Sequence, residues 1–404
     1  MKILFLSLSD YDTVSAHGLY SDLLRCFINH GNEVYMVSPV ERKKGKKTYL
    51  IRESGCTILK LRIGNIQKTN KIEKGISLIT VEPLFIRGIK KYFPDVKFDL
   101  LLYTTPPITF CRVVEYVKKR DRAKTYLLLK DIFPQNAVDI EMMSCSGIKG
   151  ILYRYFRSQE KNLYRISDYI GCMSEANVAY VLRHNPEVDA GKVHVCPNSC
   201  EVRDMSVAFN ERKRIREKYG IPQDKTVFIY GGNLGKPQGI EFMLQCLHSQ
   251  KKNKDAFFLI VGSGTEYGRI ESYLEKHKPD NIKLMDQLPK EDYDKMAGSC
   301  DVGMIFLDHR FTIPNFPSRL LSYMQAKLPV LAVTDPNTDV GKVIVENGFG
   351  WWCESSNLDE FQKQIKLILT SNLKQMGEAG FEYFREYYDV EKTWEILSCK
   401  LKEL

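Results

Sequence analysis

The chain has 404 residues, enough for two domains of ordinary size, each with a core of its own. Its 44% hydrophobic and 27% charged residues are typical of a globular protein and exclude a disordered or fibrous chain. The formal net charge of +9 resides in one stretch, because Lys and Arg exceed Glu by ten between residues 41 and 91 and the remainder is nearly neutral.

The first half of the chain is predicted to form a parallel α/β sheet. A strand at residues 2–8 is followed by a polar loop, by a helix at about 18–30 with apolar residues at three- and four-residue spacing, and by a strand at 33–38. This strand–helix–strand order requires a parallel sheet. Further buried strands are predicted at 100–103, 125–129, 169–173 and 194–196.

The second half repeats the pattern after a polar junction at about 201–224. Strands and helices then alternate at 226–230, 240–249, 257–261, 266–277, 282–284, 291–298, 302–306, 319–326 and 329–333. We therefore expect an α/β protein with two Rossmann-like parallel-sheet domains, at residues 1–200 and 201–382. The remaining residues, 383–404, include an amphipathic helix at about 390–401 that is expected to pack back on the first domain.

Membrane-spanning and secreted classes are not favoured. The chain has no run of about 18 apolar residues, and its opening apolar stretch is too short for a signal peptide. The eleven cysteines include no C-x-x-C pair, and the two nearest in sequence are Cys196 and Cys200. This pattern favours reduced thiols in the cytoplasm over disulfides or a zinc site.

A glycine-rich segment follows the first strand of the second half. Gly231, Gly232 and Gly235 let the backbone approach an anion closely, and the helix that follows presents N–H groups with positive partial charge. Lys236 adds a mobile cation. The segment predicts a diphosphate-binding loop; the alternative is a glycine-rich turn that merely re-enters a helix.

A second segment, at 313–319, leads directly into a predicted helix. Ser318 is expected to cap this helix, whereas Arg319 in the first turn is poorly placed for the helix dipole. Such a local conflict favours an anionic ligand beside Arg319. The alternative is a surface arginine paired with a distant acid.

Together these segments resemble the retaining nucleotide-sugar glycosyltransferases of the GT4 family, which have the GT-B fold. The resemblance extends over nearly the whole chain and includes the subgroup that builds bacterial capsule and O-antigen sugars, among them N-acetylhexosamine transferases. It rests on the order and spacing of several motifs, namely G-G-N-x-G-K-x-Q-G at 231–239, V-G-S-G at 261–264, P-S-R-L-L-S-Y-M-Q-A-K-L-P-V at 317–330, a D-x-W-P-type loop at 129–138, S-E-A-N at 174–177 and P-N-S at 197–199.

The resemblance implies a nucleotide-sugar donor, with UDP-sugars favoured, held against the second domain in a central cleft, and an acceptor held by the first. Lys236 and Arg319 are then the candidate cations for the leaving diphosphate, and transfer proceeds with retention and without a metal or other cofactor. Further residues count as donor-binding candidates, namely Gly231, Gly232, Asn233, Gly235, Gln238, Asn315, Ser318 and Ser322.

The chain departs from the family pattern at four positions of these segments. Relatives carry two acids eight residues apart where this chain has Pro314 and Ser322, and the second acid binds the ribose. Relatives also place Arg and Lys where this chain has Asn233 and Gln238. The missing acids leave open an alternative in which the protein is a GT-B-fold nucleotide-sugar-binding or scaffold subunit with weak catalysis.

Three residues of the first half are further candidates. His17 and Gly18, at the start of the first helix, lie in a loop that would close over the donor, although His17 is equally consistent with a simple helix-entry residue. Asp131, at the end of a strand, would hold the acceptor hydroxyl or the donor sugar. The alternative for Asp131 is a plain ion pair with Lys130.

The basic stretch predicts a partner as well. Lys68, Lys71, Lys74, Lys90 and Lys91 interleave with large apolar residues, which indicates an anionic membrane surface that contacts residues 41–93. The alternative is a solvated face with an ordinary core helix. Combined with the resemblance, this places the protein on the inner face of the cytoplasmic membrane, with a glycan or polyprenyl-diphosphate-linked acceptor.

Two other classes are disfavoured. No helix-turn-helix, zinc finger or aromatic RNA-binding signature accompanies the basic stretch, so nucleic acid is not expected as a partner. A Rossmann dehydrogenase is disfavoured because the first strand lacks G-x-G-x-x-G and the second strand ends without an acid, at Ser38 and Pro39.

Overall fold

The computed structural model describes residues 1–53, 55–66, 69–147 and 150–402, except for the side chains of 71, 72, 74 and 75. The predicted membrane contact Lys68 lies outside the described residues, as do the side chains of Lys71 and Lys74. The chain divides into two compact units, of which the second comprises Val202–Asp389. The first comprises Met1–Glu201 together with the segment that begins at Val390.

The first unit contains eight strands and seven helices among the described residues. They are β1 (Lys2–Leu6), α1 (Leu19–Asn29), β2 (Glu33–Glu41), β3 (Tyr49–Glu53), β4 (Cys56–Ile63), α2 (Lys71–Tyr92), β5 (Leu100–Thr104), α3 (Cys111–Asp121), β6 (Lys124–Leu129), α4 (Gln135–Asp139), α5 (Gly150–Ile166), β7 (Tyr169–Cys172), α6 (Glu175–His184), β8 (Val193–Val195) and, after the second unit, the helix Val390–Lys402.

The second unit contains six strands and eight helices of its own. They are α7 (Phe209–Lys218), β9 (Thr226–Asn233), α8 (Ile240–Gln250), β10 (Ala256–Ser263), α9 (Tyr267–His277), β11 (Ile282–Met285), α10 (Lys290–Gly298), β12 (Val302–Phe306), α11 (Arg319–Gln325), β13 (Val330–Thr334), α12 (Val340–Glu346), β14 (Gly350–Glu354), α13 (Leu358–Ile368) and α14 (Leu373–Tyr387). The C-terminal helix Val390–Lys402 is then α15.

The central strands of both sheets are buried on two faces. The first has the order β3-β4-β2-β1-β5-β6-β7-β8 and is parallel except for the antiparallel pair β3–β4. The second has the order β11-β10-β9-β12-β13-β14 and is parallel throughout. Residues of β1 and β5 are wholly buried from Ile3 and Leu100 onward, as expected for central strands covered by helices. The predicted α/β fold with two parallel-sheet domains is confirmed.

The carboxyl ends of the strands carry the predicted motifs. In the second sheet β9 and β10 pair from Ala256 with Thr226 to Ser263 with Asn233, so the two glycine motifs lie side by side at one sheet edge. Open parallel sheets bind ligands at this edge.

The C-terminal helix packs on the first unit. Trp394 of α15 contacts Phe27 of α1 edge-on, with ring centroids 5.2 Å apart, and stacks on His30 at 4.5 Å. Leu397 is fully buried in the same core. Because α15 follows the whole second unit, the first unit is completed by residues from both ends of the chain.

The structure has elements that were not predicted, among them α12, β14, α13 and α14. The polar junction at 201–224 contains α7, whose Arg216 is only 1% exposed. The basic stretch contains the hairpin β3–β4 and the 22-residue α2. One of its cations, Lys60, is fully buried and donates to Asp12 at 3.0 Å and to the Tyr11 carbonyl at 2.7 Å, so it forms no part of a basic surface.

Arg216 joins three segments of the second unit. Its guanidinium donates to the carbonyls of Ser299 at 2.8 Å and Pro222 at 3.0 Å and to the Asp301 carboxylate at 2.7 Å. Asp301 also accepts the N–H of Val227 at the start of β9. A buried charge of this kind is tolerated because every donor is satisfied.

Replacing Arg216 by Met should therefore lower the free energy of unfolding by about 3 kcal/mol, because Asp301 keeps only Arg212 as a guanidinium partner and the Ser299 and Pro222 carbonyls lose their donor. The shift is measured by urea unfolding followed by circular dichroism. The control is Arg214→Met on the exposed side of the same helix, which should cost less than about 0.5 kcal/mol. Equal effects of the two substitutions would contradict this account.

Candidate active site

The loop at residues 231–235, called the glycine loop below, begins where two tyrosines leave no room for a side chain. The Tyr323 hydroxyl accepts the N–H of Gly231 and lies 3.2 Å from the carbonyls of Ile229 and Met304. A Cβ on Gly231 would lie 1.8 Å from the Tyr293 hydroxyl oxygen. Residue 231 must therefore be glycine if the tyrosines keep their positions.

A second pair of glycines supports the glycine loop from β10. A Cβ on Gly262 would lie 1.9 Å from the Gly232 carbonyl oxygen, and one on Gly264 would lie 2.2 Å from that of Leu234. The Leu234 N–H donates to the Ser263 carbonyl at 2.9 Å. The V-G-S-G motif thus allows β10 to pack directly against the backbone of the glycine loop.

Polar side chains fix the remainder of the loop. The Gln238 amide oxygen accepts from the Asn233 side chain at 3.0 Å and from the Gly235 N–H at 3.1 Å. Gln238 is buried, whereas Asn233 is exposed. These two donor-binding candidates lie together and hold the loop in shape.

Lys236 is exposed at the start of a short 3₁₀ turn. The turn separates the glycine loop from α8, which begins at Ile240 after Gly239 in the left-handed conformation, φ 57°. The predicted helix after Gly239 is therefore observed, and the 3₁₀ turn lies within the predicted loop segment 231–239. Lys236 is left as the exposed cation of this segment.

Arg319 lies beside the glycine loop. A Cβ on Gly232 would be 3.4 Å from its Nη2 atom. The guanidinium lies over the Tyr230 ring, 4.4 Å from the centroid, and its buried Nη1 has no hydrogen-bond partner among the described residues. Arg319 also forms no ion pair within the described part of the chain. The predicted alternative of a distant acid partner is not observed there.

The segment before α11 supplies a second unpaired donor. The side-chain nitrogen of Asn315 is buried without a partner in the described ranges, while its carbonyl accepts from the Thr338 hydroxyl. Ser318 occupies the N-cap position, but its side chain makes no capping hydrogen bond, so the predicted cap is wrong. Ser322 lies in the helix, half-buried, and Pro314 is buried before it.

Asp131 of the first unit lies at the end of β6 and is half-buried. Burial raises the pKa of Asp131 to about 6, against the effect of the Asn136 amide, which donates to both carboxylate oxygens at 2.7 and 2.8 Å. The backbone N–H groups of residues 130 and 131 donate to the Thr105 hydroxyl. Lys130 donates instead to the Cys196 carbonyl at 3.1 Å, so the predicted alternative of a Lys130–Asp131 pair is not observed.

His17 and Gly18 meet at Asp22, a buried residue of α1. The Asp22 carboxylate lies 2.7 Å from His17 Nδ1 and accepts the N–H groups of Gly18 and Glu201, both at 3.0 Å. Burial opposes ionisation of Asp22, but the bonds from His17 and Gly18 outweigh it and hold the pKa of Asp22 below its usual value. Arg25 also pairs with Asp22, so His17 is oriented by a fixed carboxylate.

Tyr293, Tyr323 and Asp22 contact the candidate site residues but were not predicted from the sequence motifs. The two tyrosines are far along the chain from Gly231 and carry no local signal. Asp22 lies five residues after His17, close to one turn and a half of helix, and this spacing was available in the sequence.

The second unit thus places a glycine-rich loop and an unpaired guanidinium at the carboxyl end of a parallel sheet, as in nucleotide-binding α/β enzymes. Residues 211–383 match the family described as Glycosyl transferases group 1. The chain therefore contains a domain of this family and is a glycosyltransferase, and its resemblance to GT4 enzymes is confirmed.

Individual proteins agree with this assignment. The chain is 23% identical to a probable glycosyltransferase, WbjE of Pseudomonas aeruginosa, over 331 residues that cover 80% of each chain. It is 26% identical to the putative colanic acid biosynthesis glycosyl transferase WcaI of Escherichia coli K12 over 222 residues, which are 54% of this chain and 53% of WcaI. The crystal structure of Anabaena HepE in complex with UDP-glucose superimposes with a TM-score of 0.72 over the full length of both chains, at 13% identity. The fold is GT-B.

The raised pKa of Asp131 predicts that the rate of sugar transfer depends on pH. If the ionised carboxylate takes part in transfer, the rate should fall as the pH drops through about 6, because the neutral acid then predominates. Asn136→Ala removes the amide that favours the carboxylate, so the acid limb of the pH–rate profile should move to higher pH. The measurement is initial rate against pH.

Gln135→Ala is the matched control, because Gln135 donates to Asp139 rather than to Asp131. It should leave the acid limb in place. An acid limb that stays unchanged in Asn136→Ala would argue that Asp131 does not control the rate.

Proposed function

We propose that the protein transfers a sugar, with retention of anomeric configuration, from a nucleotide-sugar donor to a glycan or lipid-linked glycan acceptor in surface-polysaccharide biosynthesis. A UDP-sugar is the favoured donor, which the HepE complex with UDP-glucose supports. The polysaccharide acceptor is supported by the similarity to WcaI, named for colanic acid biosynthesis. These similarities are distant, so the proposal also depends on the site itself.

The observation that carries the proposal is the buried Nη1 of Arg319, which has no hydrogen-bond partner within the described part of the chain, on a guanidinium beside Gly232. A guanidinium with a buried donor and no carboxylate partner is costly unless an anion satisfies it. The same unit satisfies every nitrogen of the buried Arg216 with carbonyls and a carboxylate. The contrast between the two arginines points to a ligand at Arg319, and a diphosphate fits the planar fork of donors.

Negative charge develops on the leaving diphosphate when the glycosidic bond to the donor breaks. Arg319 is held in place by Tyr230, so its charge is already directed before the reaction. Lys236, exposed and mobile, would approach the same phosphates as a point charge. Donor-binding contacts would come from the glycine loop and from Asn315, Ser318 and Ser322. We propose that these groups suffice without a metal, so that added Mg²⁺ or Mn²⁺ leaves the initial rate unchanged.

The first unit would supply the acceptor side. Asp131, fixed by Asn136, would accept a hydrogen bond from the acceptor hydroxyl or from the donor sugar. His17, oriented by Asp22, and the adjacent Gly18 would contact the donor.

The donor is identified by thermal shift with UDP-, GDP- and dTDP-sugars, since a ligand that binds only the folded chain raises its unfolding temperature. Release of free nucleotide on addition of a polyprenyl-diphosphate-linked glycan then tests transfer. The anomeric configuration of the product, read by NMR, tests retention. No shift with any of the three donor classes would refute the proposal.

Replacing Lys236 or Arg319 by Ala should lower turnover by roughly 10²–10³, the usual effect of losing one preorganised charged donor. Donor binding should weaken less than turnover. Arg319→Lys should recover only part of the rate, since an ammonium group lacks the fork of donors. Lys342→Ala, an exposed lysine of the same unit, is the control and should have wild-type turnover. Wild-type turnover in both alanine variants would refute the assignment.

We also propose that the first unit binds an anionic membrane surface through α2. Within the described residues no helix is long and apolar enough to cross a membrane. Ile76 and Ile79, however, are 60% and 76% exposed on α2. Arg87, Lys90 and Lys91 are exposed further along the same helix. Apolar insertion and charge attraction together would give reversible attachment.

The membrane proposal predicts salt-sensitive binding to anionic liposomes and none to neutral ones, measured by co-sedimentation. Changing Lys68, Lys71, Lys74, Lys90 and Lys91 to Gln should abolish it, since each cation contributes about 1 kcal/mol near an anionic surface. Ile76→Ser with Ile79→Ser tests the apolar part separately. The control changes Lys342, Lys363 and Lys366 of the second unit to Gln and should bind like wild type. Equal binding to both liposome types would contradict the proposal.

A further inference from the structure

Cys26, His30 and Glu391 form a cluster where α15 packs on α1, and none of them is assigned to donor or acceptor. Cys26 and His30 are four residues apart, so they share one side of α1 and its C-terminal end. Glu391 is the second residue of α15. The thiol, one imidazole nitrogen and one carboxylate oxygen of these residues all lie within 4.8 Å of one another.

The three ligand atoms are near enough for small side-chain movements to bring them to the distances of a tetrahedral zinc site. With bonds of about 2.3 Å to sulfur and 2.0 Å to nitrogen and oxygen, tetrahedral ligands lie about 3.5 Å apart for sulfur and oxygen and about 3.3 Å apart for nitrogen and oxygen. The Cys26 Sγ to Glu391 Oε1 distance is 3.5 Å. The His30 Nε2 atom lies 2.7 Å from the other carboxylate oxygen, Oε2, in a hydrogen bond that the metal would replace, and a rotation of the Glu391 carboxylate would bring one oxygen to both ligand distances.

The surroundings favour a metal of this kind. Cys26 is 2% exposed, which keeps the sulfur away from bulk solvent, whereas the side chains of His30 and Glu391 are 38% and 49% exposed and leave an entry path. Trp394 stacks on His30 with ring centroids 4.5 Å apart and fixes the imidazole plane. Thiolate and imidazole ligands together prefer zinc to magnesium or calcium.

We propose that Cys26, His30 and Glu391 bind one Zn²⁺ ion, with water as the fourth ligand. The ion fastens the C-terminal helix to the first helix of the chain. Binding displaces the thiol proton of Cys26 to solvent and involves no oxidation or reduction. This site is separate from the proposed transfer reaction, whose residues it does not include.

The test uses the full chain with Cys145→Ser and Cys399→Ser, which removes the two exposed thiols that would bind metal adventitiously. After treatment with a chelator, the protein is titrated with Co²⁺. We expect one equivalent to bind with a thiolate-to-cobalt charge-transfer band and the intense visible bands of four-coordinate cobalt, all bleached by Zn²⁺. A titration without the thiolate band would overturn the proposal and leave an ordinary His30–Glu391 ion pair.

Cys26→Ser should abolish the charge-transfer band, and His30→Gln and Glu391→Gln should each weaken Zn²⁺ binding by more than about 100-fold, beyond the effect of losing a residue that merely supports a ligand. Zn²⁺ should raise the unfolding temperature of the parent chain and not of these variants. Glu395→Gln, an exposed glutamate of α15, and His184→Gln are the matched controls and should bind like the parent. A band that persists in Cys26→Ser would overturn the assignment.

The metal-site proposal and the sugar-transfer proposal can be refuted independently. Metal binding is read by spectroscopy and melting in the absence of any sugar nucleotide, so loss of transfer in the Lys236 or Arg319 variants does not affect it. Conversely, donor binding by the metal-free chain would stand even if no cobalt band appears.

Discussion

The arrangement of the candidate active site depends on the close approach of two backbones at the carboxyl ends of β9 and β10. Gly262 and Gly264 lie so near the carbonyls of the glycine loop that any Cβ would collide with them. From the other side, Tyr293 and Tyr323 fill the space next to Gly231. Since backbone and ring are both rigid, the loop has one position, and Gly232 is thereby held against the Arg319 guanidinium.

The second unit contains two arginines whose guanidinium groups are shielded from solvent but differ in their partners. Arg216 is saturated by carbonyls and Asp301, and it therefore contributes to stability and has no capacity for a ligand. Arg319 rests on an aromatic ring and keeps a donor unpaired. The same residue type thus serves the fold in one place and is available for recognition in the other. In the first unit, the buried Lys60 likewise serves the fold, because its bonds to Tyr11 and Asp12 hold the loop before α1 in place.

Much of the fold could be predicted because its strands are continuous apolar runs that alternate with helices of regular spacing. The prediction missed α7, whose buried face consists of Arg216 rather than apolar residues, and it missed the hairpin β3–β4. A core helix in the basic stretch was given as the alternative there, and α2 buries Val81, Phe85 and Ile89. For the site, glycine spacing and Arg319 were visible as local signals. Tyr323, which reaches Gly231 across 92 residues, was not, and Glu391, 361 residues from His30, was not either.

The return of α15 to the first unit has a consequence for synthesis on the ribosome. The second unit, about 190 residues long, is inserted between Glu201 and Val390, so α15, which contacts Phe27 and His30, is translated only after the whole second unit. At a synthesis rate of roughly 5–20 residues per second, α1 remains uncovered by α15 for about 10–40 s. The second unit is complete at the end of that interval and can fold before α15 packs on α1, and until then the nascent first unit exposes an apolar face to chaperones.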